Sequence, residues 1–273
     1  MRQKSKRVII YFLLVLVSFI FVLPFLWMLI SSLKGNQEIF EFPPTLIPKH
    51  WHWVNYIQAL KYIPFFHYLL NTFIVTIGTV IGTLVSTPPV AYSFSKLQWK
   101  GRNFAFGVCL STMMLPFIVT MIPLYTMFRD IHWINTFWPL IVPAFFGTPL
   151  YIFLLRQFYM GIPNELVEAA RIDGAGEMRI FWLITPLTKP ALISIALFSF
   201  LGAWTDFLGP LIFLNDSNMF TMSLGLQQFQ SVHSTAWSYL MAACVVFTVP
   251  VILLFFILQR YFIEGISFSG IKG

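Results

Sequence analysis

A long apolar run near the N-terminus, residues 8–33, constrains the fold of this chain more than any other feature, because its polar breaks are only Ser18, Ser31 and Ser32. About 20 apolar residues in a helix, at a rise of 1.5 Å per residue, cross the hydrocarbon of a bilayer. The apolar core of a signal peptide is shorter, at about 7–15 residues. We therefore interpret this run, which follows the basic sequence MRQKSKR, as an uncleaved first transmembrane helix.

Five further apolar runs predict an all-α, polytopic membrane protein with six transmembrane helices. The composition agrees, since 58% of the residues are hydrophobic and 10% are charged, whereas soluble domains carry about 25% charged residues. Cys109 and Cys244 lie inside apolar runs and indicate neither a disulfide framework nor a metal site. The five runs are residues 68–95, 104–128, 137–158, 191–214 and 239–258.

The basic residues fall mainly on one side of these spans. Segments that would share a side with both termini hold thirteen of them, and the alternate segments hold four. Lysine and arginine are enriched in cytoplasmic loops, so this pattern places both termini inside the cell. The net charge of +7 therefore indicates topology rather than nucleic acid binding, which would need a polar basic domain. The thirteen are Arg2, Lys4, Lys6, Arg7, Lys96, Lys100, Arg102, Arg156, Arg171, Arg179, Lys189, Arg260 and Lys272, and the four are Lys34, Lys49, Lys61 and Arg129.

The spans and their sides predict the organisation of the chain. A cytoplasmic N-terminus precedes the first helix and a long outer loop. A membrane core then holds the other five helices and one long cytoplasmic loop, and a cytoplasmic tail follows. In that order the predicted ranges are 1–7, 8–33, 34–67, 68–258 with the loop at 159–189, and 259–273.

Catalytic chemistry is not indicated. The patterns G-x-S-x-G, H-E-x-x-H and C-x-x-C do not occur in the sequence. The outer loop carries His50 and His52, but no cysteine or carboxylate accompanies them at ligand spacing, and Trp51 and Trp53 suit an interfacial aromatic belt. The C-terminal sequence GISFSGIK lacks the strand and helix of a phosphate loop, and its lysine is one place late. We expect no catalytic residue, no metal and no nucleotide site in this chain.

Prolines interrupt several of the spans. A proline frees backbone carbonyls, and such breaks are common in proteins that move solutes. Ordinary kinking is the simpler alternative for each proline taken alone. Gly78 and Gly82 form a single GxxxG pattern in the second span, which permits a close helix contact without establishing one. The prolines are Pro88, Pro89, Pro116, Pro123, Pro139, Pro143, Pro149 and Pro250.

The cytoplasmic loop before the fifth span is unusual because it carries a charged, glycine-jointed sequence, VEAARIDGAGEMRIFWLI. The sequence predicts a short helix with Pro163 at its first position, a joint at Gly174 and Gly176, and a second apolar turn that leads into the fifth span. Ala169 and Ala170 would leave a smooth surface that another protein could approach closely. A push on this segment would then pass to the fifth span. The alternative is an ordinary solvated cytoplasmic helix.

This segment resembles the EAA loop of membrane permeases in bacterial ABC importers. That pattern reads E-A-A, three residues, G, nine residues, I, one residue and L-P. The chain departs from it at the end, where the proline arrives one place early and the stretch is one residue shorter. The residues concerned are Glu168, Ala169, Ala170, Gly174 and Ile184, which fit, and Pro186 and Leu187, which stand in reversed order.

Two further stretches resemble the carbohydrate-type permeases of this class. GAWTDFLGPLIFL is similar to their fifth-span signature, with Thr205 where an asparagine commonly precedes the aspartate. The C-terminal sequence QRYFIEGISFSGIKG is similar to the tail of the maltose-type second permease subunit. The resemblance covers essentially the whole chain.

The resemblance implies a membrane subunit of an ATP-driven importer of a sugar or oligosaccharide. Two different permease subunits would pair in the bacterial plasma membrane, two ATPase subunits would sit below them, and an external solute-binding protein would deliver the sugar. ATP and Mg²⁺ would bind the ATPase subunits, so this chain would hold no cofactor. ATP-driven closure would move the EAA loops and switch the permeases from inward-facing to outward-facing.

The resemblance also implies roles for single residues. Glu168 would make a polar contact in a groove of the ATPase, Ala169 and Ala170 would pack closely there, and Gly174 would allow the turn. Asp206 is interpreted from its position as the one acidic residue in a predicted span and not from the resemblance. It would contact solute on its path, make a structural hydrogen bond, or lie nearer the outer interface than the predicted span places it, and these interpretations stay open. The full candidate sets are Glu168, Ala169, Ala170, Arg171, Asp173, Gly174, Ile184 and Pro186 for ATPase coupling; Gly265, Gly270 and Lys272 for a tail contact with the ATPases; and Asn71, Trp204, Thr205 and Asp206 for the solute path.

Other classes of protein fit the sequence less well. An ion-driven secondary transporter would be expected to carry more intramembrane carboxylates or paired repeats. A membrane enzyme would need a catalytic set. The nearer alternative is an ABC permease for a solute other than a sugar.

Overall fold

The computed structural model describes the backbone of residues 2–230 and 236–268 and the side chains of residues 6–230 and 236–259. Its secondary structure over these residues is helical, with short 3₁₀ turns, which confirms the all-α prediction. The helices are α1 (Arg2–Ser32), α2 (Val54–Tyr62), α3 (Phe65–Ser95), α4 (Arg102–Ser111), α5 (Phe117–Asp130), α6 (Trp138–Ile141), α7 (Pro149–Gly161), α8 (Asn164–Ile172), α9 (Glu177–Ile184), α10 (Lys189–Trp204), α11 (Leu208–Phe213), α12 (Met222–Gly225) and α13 (Trp237–Phe268).

Five helical stretches among the described residues are long and apolar enough to cross a membrane, and a bent pair raises the number to six if it counts as one span. This agrees with the predicted polytopic membrane protein. The five stretches are Lys6–Ser32, Phe65–Ser95, Trp138–Gly161, Glu177–Trp204 and Trp237–Gln259.

The third predicted span is the bent pair rather than one straight helix. Its two arms, Arg102–Met114 and Phe117–Asp130, meet at an angle of 98°. Pro116 lies at the corner with extended backbone (φ −63°, ψ 141°) and precedes α5. A proline has no N–H to bond the preceding turn, so the helix stops before it and a new helix starts after it.

The fifth predicted span begins and ends earlier than expected. The continuous helical stretch covers Glu177–Trp204, through α9, a 3₁₀ turn and α10. Pro186 and Pro190 do not end it, because each occupies an early position of its own helical segment, where the missing N–H has no partner to lose. Asp206 therefore lies in the break between α10 and α11 and not inside a long helix.

The described residues divide into two compact units, and the first comprises residues 1–67 and 225–251. Within it, the loop after α1 folds back onto the end of that helix. The Asn55 side-chain amide donates to the carbonyls of Ser32 and Lys34, at 2.9 Å each. The buried Lys34 ammonium bonds the Thr45 carbonyl and lies 5.1 Å from the Trp27 ring centre. The loop is thus ordered by satisfied polar groups and not only by apolar contacts.

The second unit comprises the described residues of the ranges 68–224 and 252–273. Its core lies where the end of α3 meets α7, α8, α9 and α10, with Leu155, Ile180 and Ile184 fully buried. A second contact joins the middle of α3 to residues 138–146. A Cβ atom added to Gly78 would lie 2.9 Å from the Ile141 side chain, so the GxxxG pattern does mark a close helix contact.

Candidate coupling site

Residues 159–189 form the helix–joint–helix that their sequence predicts, with α8 (Asn164–Ile172) and α9 (Glu177–Ile184) on the two sides of a turn. Pro163 has extended backbone (φ −54°, ψ 136°) and stands just before α8, one place earlier than expected. We call residues 159–189 the coupling segment.

The turn between the two helices depends on Gly174. Its φ of +80° lies in the left-handed region, which side chains with a Cβ rarely adopt. The N–H of Gly174 donates to the Arg171 carbonyl at 3.0 Å, and the N–H of Ala175 donates to the Ala170 carbonyl at 2.9 Å. This pair of bonds is the Schellman motif, which satisfies the last carbonyls of α8 and fixes the direction in which the chain leaves it.

The two faces of α8 differ sharply. Val167 and Ala170 are buried in the core of the second unit. Glu168, Ala169 and Ile172 are exposed, and Ile172 is 86% exposed. Of the two adjacent alanines, therefore, only Ala169 is available to a partner, whereas Ala170 packs within the chain. An exposed, partly apolar helix face is a surface suited to docking.

The two remaining residues of the EAA pattern differ in burial. Ile184 is fully buried in the core, and Pro186 is exposed in the 3₁₀ turn Thr185–Thr188. Tyr159 from α7 shares a 2.7 Å hydrogen bond with the Thr185 hydroxyl, which also donates to the Phe181 carbonyl. The end of the segment is thereby fastened to α7.

Two polar links join the coupling segment to the C-terminal end of α3, one from Tyr92 in its last turn and one from Lys96 directly after it. The Tyr92 hydroxyl donates to Oε2 of Glu177 at 2.8 Å, and Arg171 donates to Oε1 of the same carboxylate at 2.7 Å and 3.1 Å. The Lys96 ammonium donates to the Ile162 carbonyl at 2.7 Å and to the Asn164 side chain at 2.8 Å. Burial lowers the pKa of Lys96, and nearby Glu165 acts in the opposite direction. We call these contacts the α3 links.

Sequence reasoning missed Tyr92, Lys96 and Glu177. In the sequence, Lys96 is one of the thirteen basic residues that predict which loops are cytoplasmic, and nothing more is indicated for it. The available signal was its position directly after a long apolar span, where a lysine either extends into water or bonds helix-end carbonyls. Its partners lie 66 and 68 residues further along the chain, a distance that no local pattern spans.

Two of the four candidate solute-path residues, Asn71 and Asp206, bond residues in the stretch 218–223. Asn71 is buried, and its amide donates to the carbonyls of Asn218 and Phe220 at 2.9 Å and 3.0 Å. Asp206 is half-buried, its Oδ1 accepts from the Gly209 N–H at 3.1 Å, and its carbonyl accepts from the Ser223 hydroxyl at 2.6 Å. These contacts are structural hydrogen bonds, and whether either side chain also meets solute stays a prediction.

Trp204 and Thr205, the other two candidates, differ in exposure. Trp204 is 1% exposed and packs between the rings of Phe73 and Phe200, with centres 4.9 Å and 5.1 Å away. Thr205 is exposed, and its hydroxyl donates to the Leu201 carbonyl at 2.8 Å. Of this pair, only Thr205 has a side chain at the surface.

An apolar groove of about 750 Å³ runs beside the coupling segment, between the end of α3 and the start of α10. The polar side chains that line it are Tyr92, Glu177 and Thr185. All three already bond within the chain. A sugar needs several hydrogen-bonding groups in its site, so the groove is not a plausible sugar site.

The predicted tail contacts fall at the edge of the described structure. Gly265 lies in the last turns of α13, for which the backbone is described. Gly270 and Lys272 lie outside the described residues.

The fold and the coupling segment together define a polytopic membrane protein with an exposed, glycine-jointed helix between two spans. Residues 78–267 match the family described as binding-protein-dependent transport system inner membrane component, and the chain belongs to that family.

The chain is similar to curated proteins and to a solved structure over nearly its whole length. It is 34% identical to the probable ABC transporter permease protein YurM of Bacillus subtilis (strain 168), over 92% of this chain and 83% of that protein. It is 33% identical to the arabinooligosaccharides transport system permease protein AraQ of Halalkalibacterium halodurans, over 100% of both chains. One chain of a bacterial ABC transporter involved in import of the acidic polysaccharide alginate has the same fold, with a TM-score of 0.82 at 22% identity, over 96% of this chain and 98% of that chain.

Proposed function

We propose that this chain is one of two membrane subunits of an ATP-driven, binding-protein-dependent importer of a sugar or oligosaccharide. The observation that carries the proposal is the exposed face of α8, held by a Schellman turn and a buried core between two spans. The family supports the transport role. The name of the AraQ relative and the similar C-terminal tail favour a sugar as the cargo.

In this proposal, a second permease subunit completes the translocation pathway and two ATPase subunits bind on the cytoplasmic side. ATP and Mg²⁺ bind those ATPases, and an external solute-binding protein delivers the sugar. The distribution of lysine and arginine favours cytoplasmic termini and a cytoplasmic coupling segment. Glu168 and Ala169 then face the ATPase, and the described part of α13 leads into the tail that contacts it.

The coupling segment converts motion of the ATPases into motion of the membrane helices. α8 is pushed, the turn at Gly174 passes the displacement to α9, and α9 continues through the 3₁₀ turn into α10 as one helical stretch. The far end of that stretch is Trp204, two residues before Asp206. A movement at the ATPase thus reaches the proposed solute path. ATP acts as the ligand that favours one of the two states.

A charge reversal on α8 tests the docking role. We expect Glu168→Lys to insert in the membrane normally but to reduce the ATPase recovered with the affinity-purified complex, because a lysine places the opposite charge at the docking face. The matched control is Glu41→Lys, an exposed glutamate in the loop after α1. ATPase recovery and transport equal to those of the unchanged chain would refute the role of Glu168.

The sugar class has its own test. The purified complex, reconstituted in vesicles with its binding protein, is offered arabino-, malto- and chito-oligosaccharides and glycerol phosphate, and uptake and ATP hydrolysis are measured. We expect uptake of an oligosaccharide. Uptake of glycerol phosphate alone would keep the importer and change its cargo, and recovery of the chain without any ATPase would overturn the importer itself.

A further inference from the structure

We infer that the coupling segment drives α3 as directly as it drives α10, through Tyr92 and Lys96 acting as positioning residues. This inference rests on the proposed function, since the moving part is the segment that docks on the ATPase. Covalent continuity connects the segment to α10. The α3 links provide the second connection, and on the α3 side they are made by the side chains of Tyr92 and Lys96.

The α3 links hold both ends of α8. At its start, Lys96 bonds the carbonyl of Ile162, which follows α7, and the side chain of Asn164, the first residue of α8. At its end, Tyr92 bonds Glu177, which also holds Arg171 in the last turn of α8. Lys96 directly follows the last residue of α3, and its N–H donates to the Tyr92 carbonyl at 2.8 Å, so Lys96 continues the face of α3 that carries Tyr92. A helix fastened at both ends cannot pivot away from the surface that holds it.

Packing around the α3 links makes them stiff. The Tyr92 ring lies edge-on to the rings of Tyr159 and Phe181, with centres 5.9 Å and 5.4 Å apart. Ala91, next to Tyr92 in α3, is fully buried in the same core. Lys96 is 8% exposed. Hydrogen bonds of charged groups are stronger than neutral ones, and a buried ammonium that loses its partners is strongly disfavoured.

Separation of α3 from the coupling segment is therefore costly, and displacement of the two together is not. When α8 moves, the last turn of α3 moves with it. The middle of α3 packs on residues 138–146 through Gly78 and Gly82. Motion of the segment thus reaches α3 and the elements that contact it, as well as α10.

The test compares uptake with ATP hydrolysis in the reconstituted complex, using the panel sugar that the unchanged complex takes up best. We expect Tyr92→Phe combined with Lys96→Met to retain the ATPase subunits and their hydrolysis but to lower sugar uptake per ATP about fivefold to tenfold, in the range of measured coupling between sites. Tyr92→Phe alone, a milder change, is expected to show a smaller loss in the same direction. Lys96→Arg keeps a cation with several donors. We therefore expect the Lys96→Arg protein to retain the coupling that the Lys96→Met protein loses.

Ser95→Ala is the matched control. It also removes one hydroxyl from the end of α3, but that hydroxyl donates to the Tyr92 carbonyl within α3 and not to the coupling segment. We expect its uptake per ATP to stay close to that of the unchanged chain. A loss equal to that of Tyr92→Phe would show general loosening of the core and would overturn the inference.

A covalent bridge separates a positioning role from a stabilising one. In a background with Cys109→Ala and Cys244→Ala, the pair Tyr92→Cys and Glu177→Cys is joined by a short bifunctional thiol reagent that can be cleaved by reduction. We expect the bridged complex to couple uptake to hydrolysis and the reduced complex to lose that coupling. A bridged complex that hydrolyses ATP without uptake would show that α3 must part from the segment, which overturns the inference while leaving the proposed function in place.

Discussion

Asp206 is a residue whose position can be explained without any solute. Its carboxylate accepts from the Gly209 N–H in the first turn of α11, and its carbonyl accepts from Ser223. A carboxylate at such a place stabilises the start of the following helix. A role on the solute path would add to this bond and not replace it, so substitutions must separate the charge from the acceptor.

Two substitutions at this position make that separation. We expect Asp206→Leu, which removes both charge and acceptor, to leave assembly intact and to lower uptake about tenfold, the effect of losing one hydrogen bond to a charged group. Asp206→Asn keeps an acceptor for the Gly209 N–H and loses the charge. Its uptake should therefore fall between that of the unchanged complex and that of Asp206→Leu. Uptake is measured in the reconstituted complex. Full uptake by Asp206→Leu would remove Asp206 from the solute path, and full uptake by Asp206→Asn would leave it only the structural bond.

The residues that sequence could identify are those with a local signature. Gly174 was predictable because a helix that ends on a glycine before a second helix needs a left-handed residue there, and its φ is +80°. The inward orientation of Ala170 was not predictable, because an E-A-A pattern alone does not show which alanine faces the core. Lys96 was equally hidden, because its role depends on partners from α7 and α8.

At the scale of elements, the close contact of α3 with residues 138–146 depends on two glycines of α3, Gly78 and Gly82, which have no Cβ atom. A Cβ atom on Gly82 would lie 2.6 Å from the Phe145 ring and 3.2 Å from the backbone of Ala144. The ring can move, but the backbone cannot do so cheaply. Hydrogen bonds reinforce the contact, from Thr79 to the Leu140 carbonyl at 3.2 Å and from Ser86 to the Ala144 carbonyl at 2.8 Å.

A bulky residue at Gly82 should therefore force these elements apart. We expect Gly82→Val to cost about 1–3 kcal/mol of stability, the usual range for overpacking, and to lower the midpoint of thermal unfolding of the purified complex. Gly107→Val introduces the same residue in α4, where an added Cβ meets nothing within 4 Å, and should change the midpoint little. Equal midpoints for the two variants would contradict a tight contact at Gly82.

The predicted elements were right in kind and displaced at their ends. Hydropathy located the long apolar stretches because their length exceeds what a signal peptide or a soluble core helix needs. It could not show that α9 and α10 form one rod, since Pro186 and Pro190 read as breaks until their helical positions are known. Likewise, the sequence showed that Pro116 interrupts the third span, but it did not predict the angle between the two helices that meet there.

At the scale of the whole molecule, the distribution of lysine and arginine makes a testable statement about sides. In the same cysteine-free background, His50→Cys should react with a membrane-impermeant maleimide on intact spheroplasts. Gly176→Cys, placed where an added Cβ meets nothing within 4 Å, should react only after the membrane is permeabilised. Labelling of Gly176→Cys from outside would reverse the proposed orientation and with it the docking of α8 on an ATPase.

The 98° corner between α4 and α5 affects the number of times the chain crosses the membrane. If that bent pair were a re-entrant hairpin that returned to the face it entered, the number of crossings would be odd, and every later loop would change sides. Arg156, Arg171, Arg179 and Lys189 would then lie outside with the coupling segment, against the rule that such charges stay in. The even number that the charge distribution predicts is met only if the corner turns within a passage through the bilayer, with one arm entering on one face and the other leaving on the opposite face.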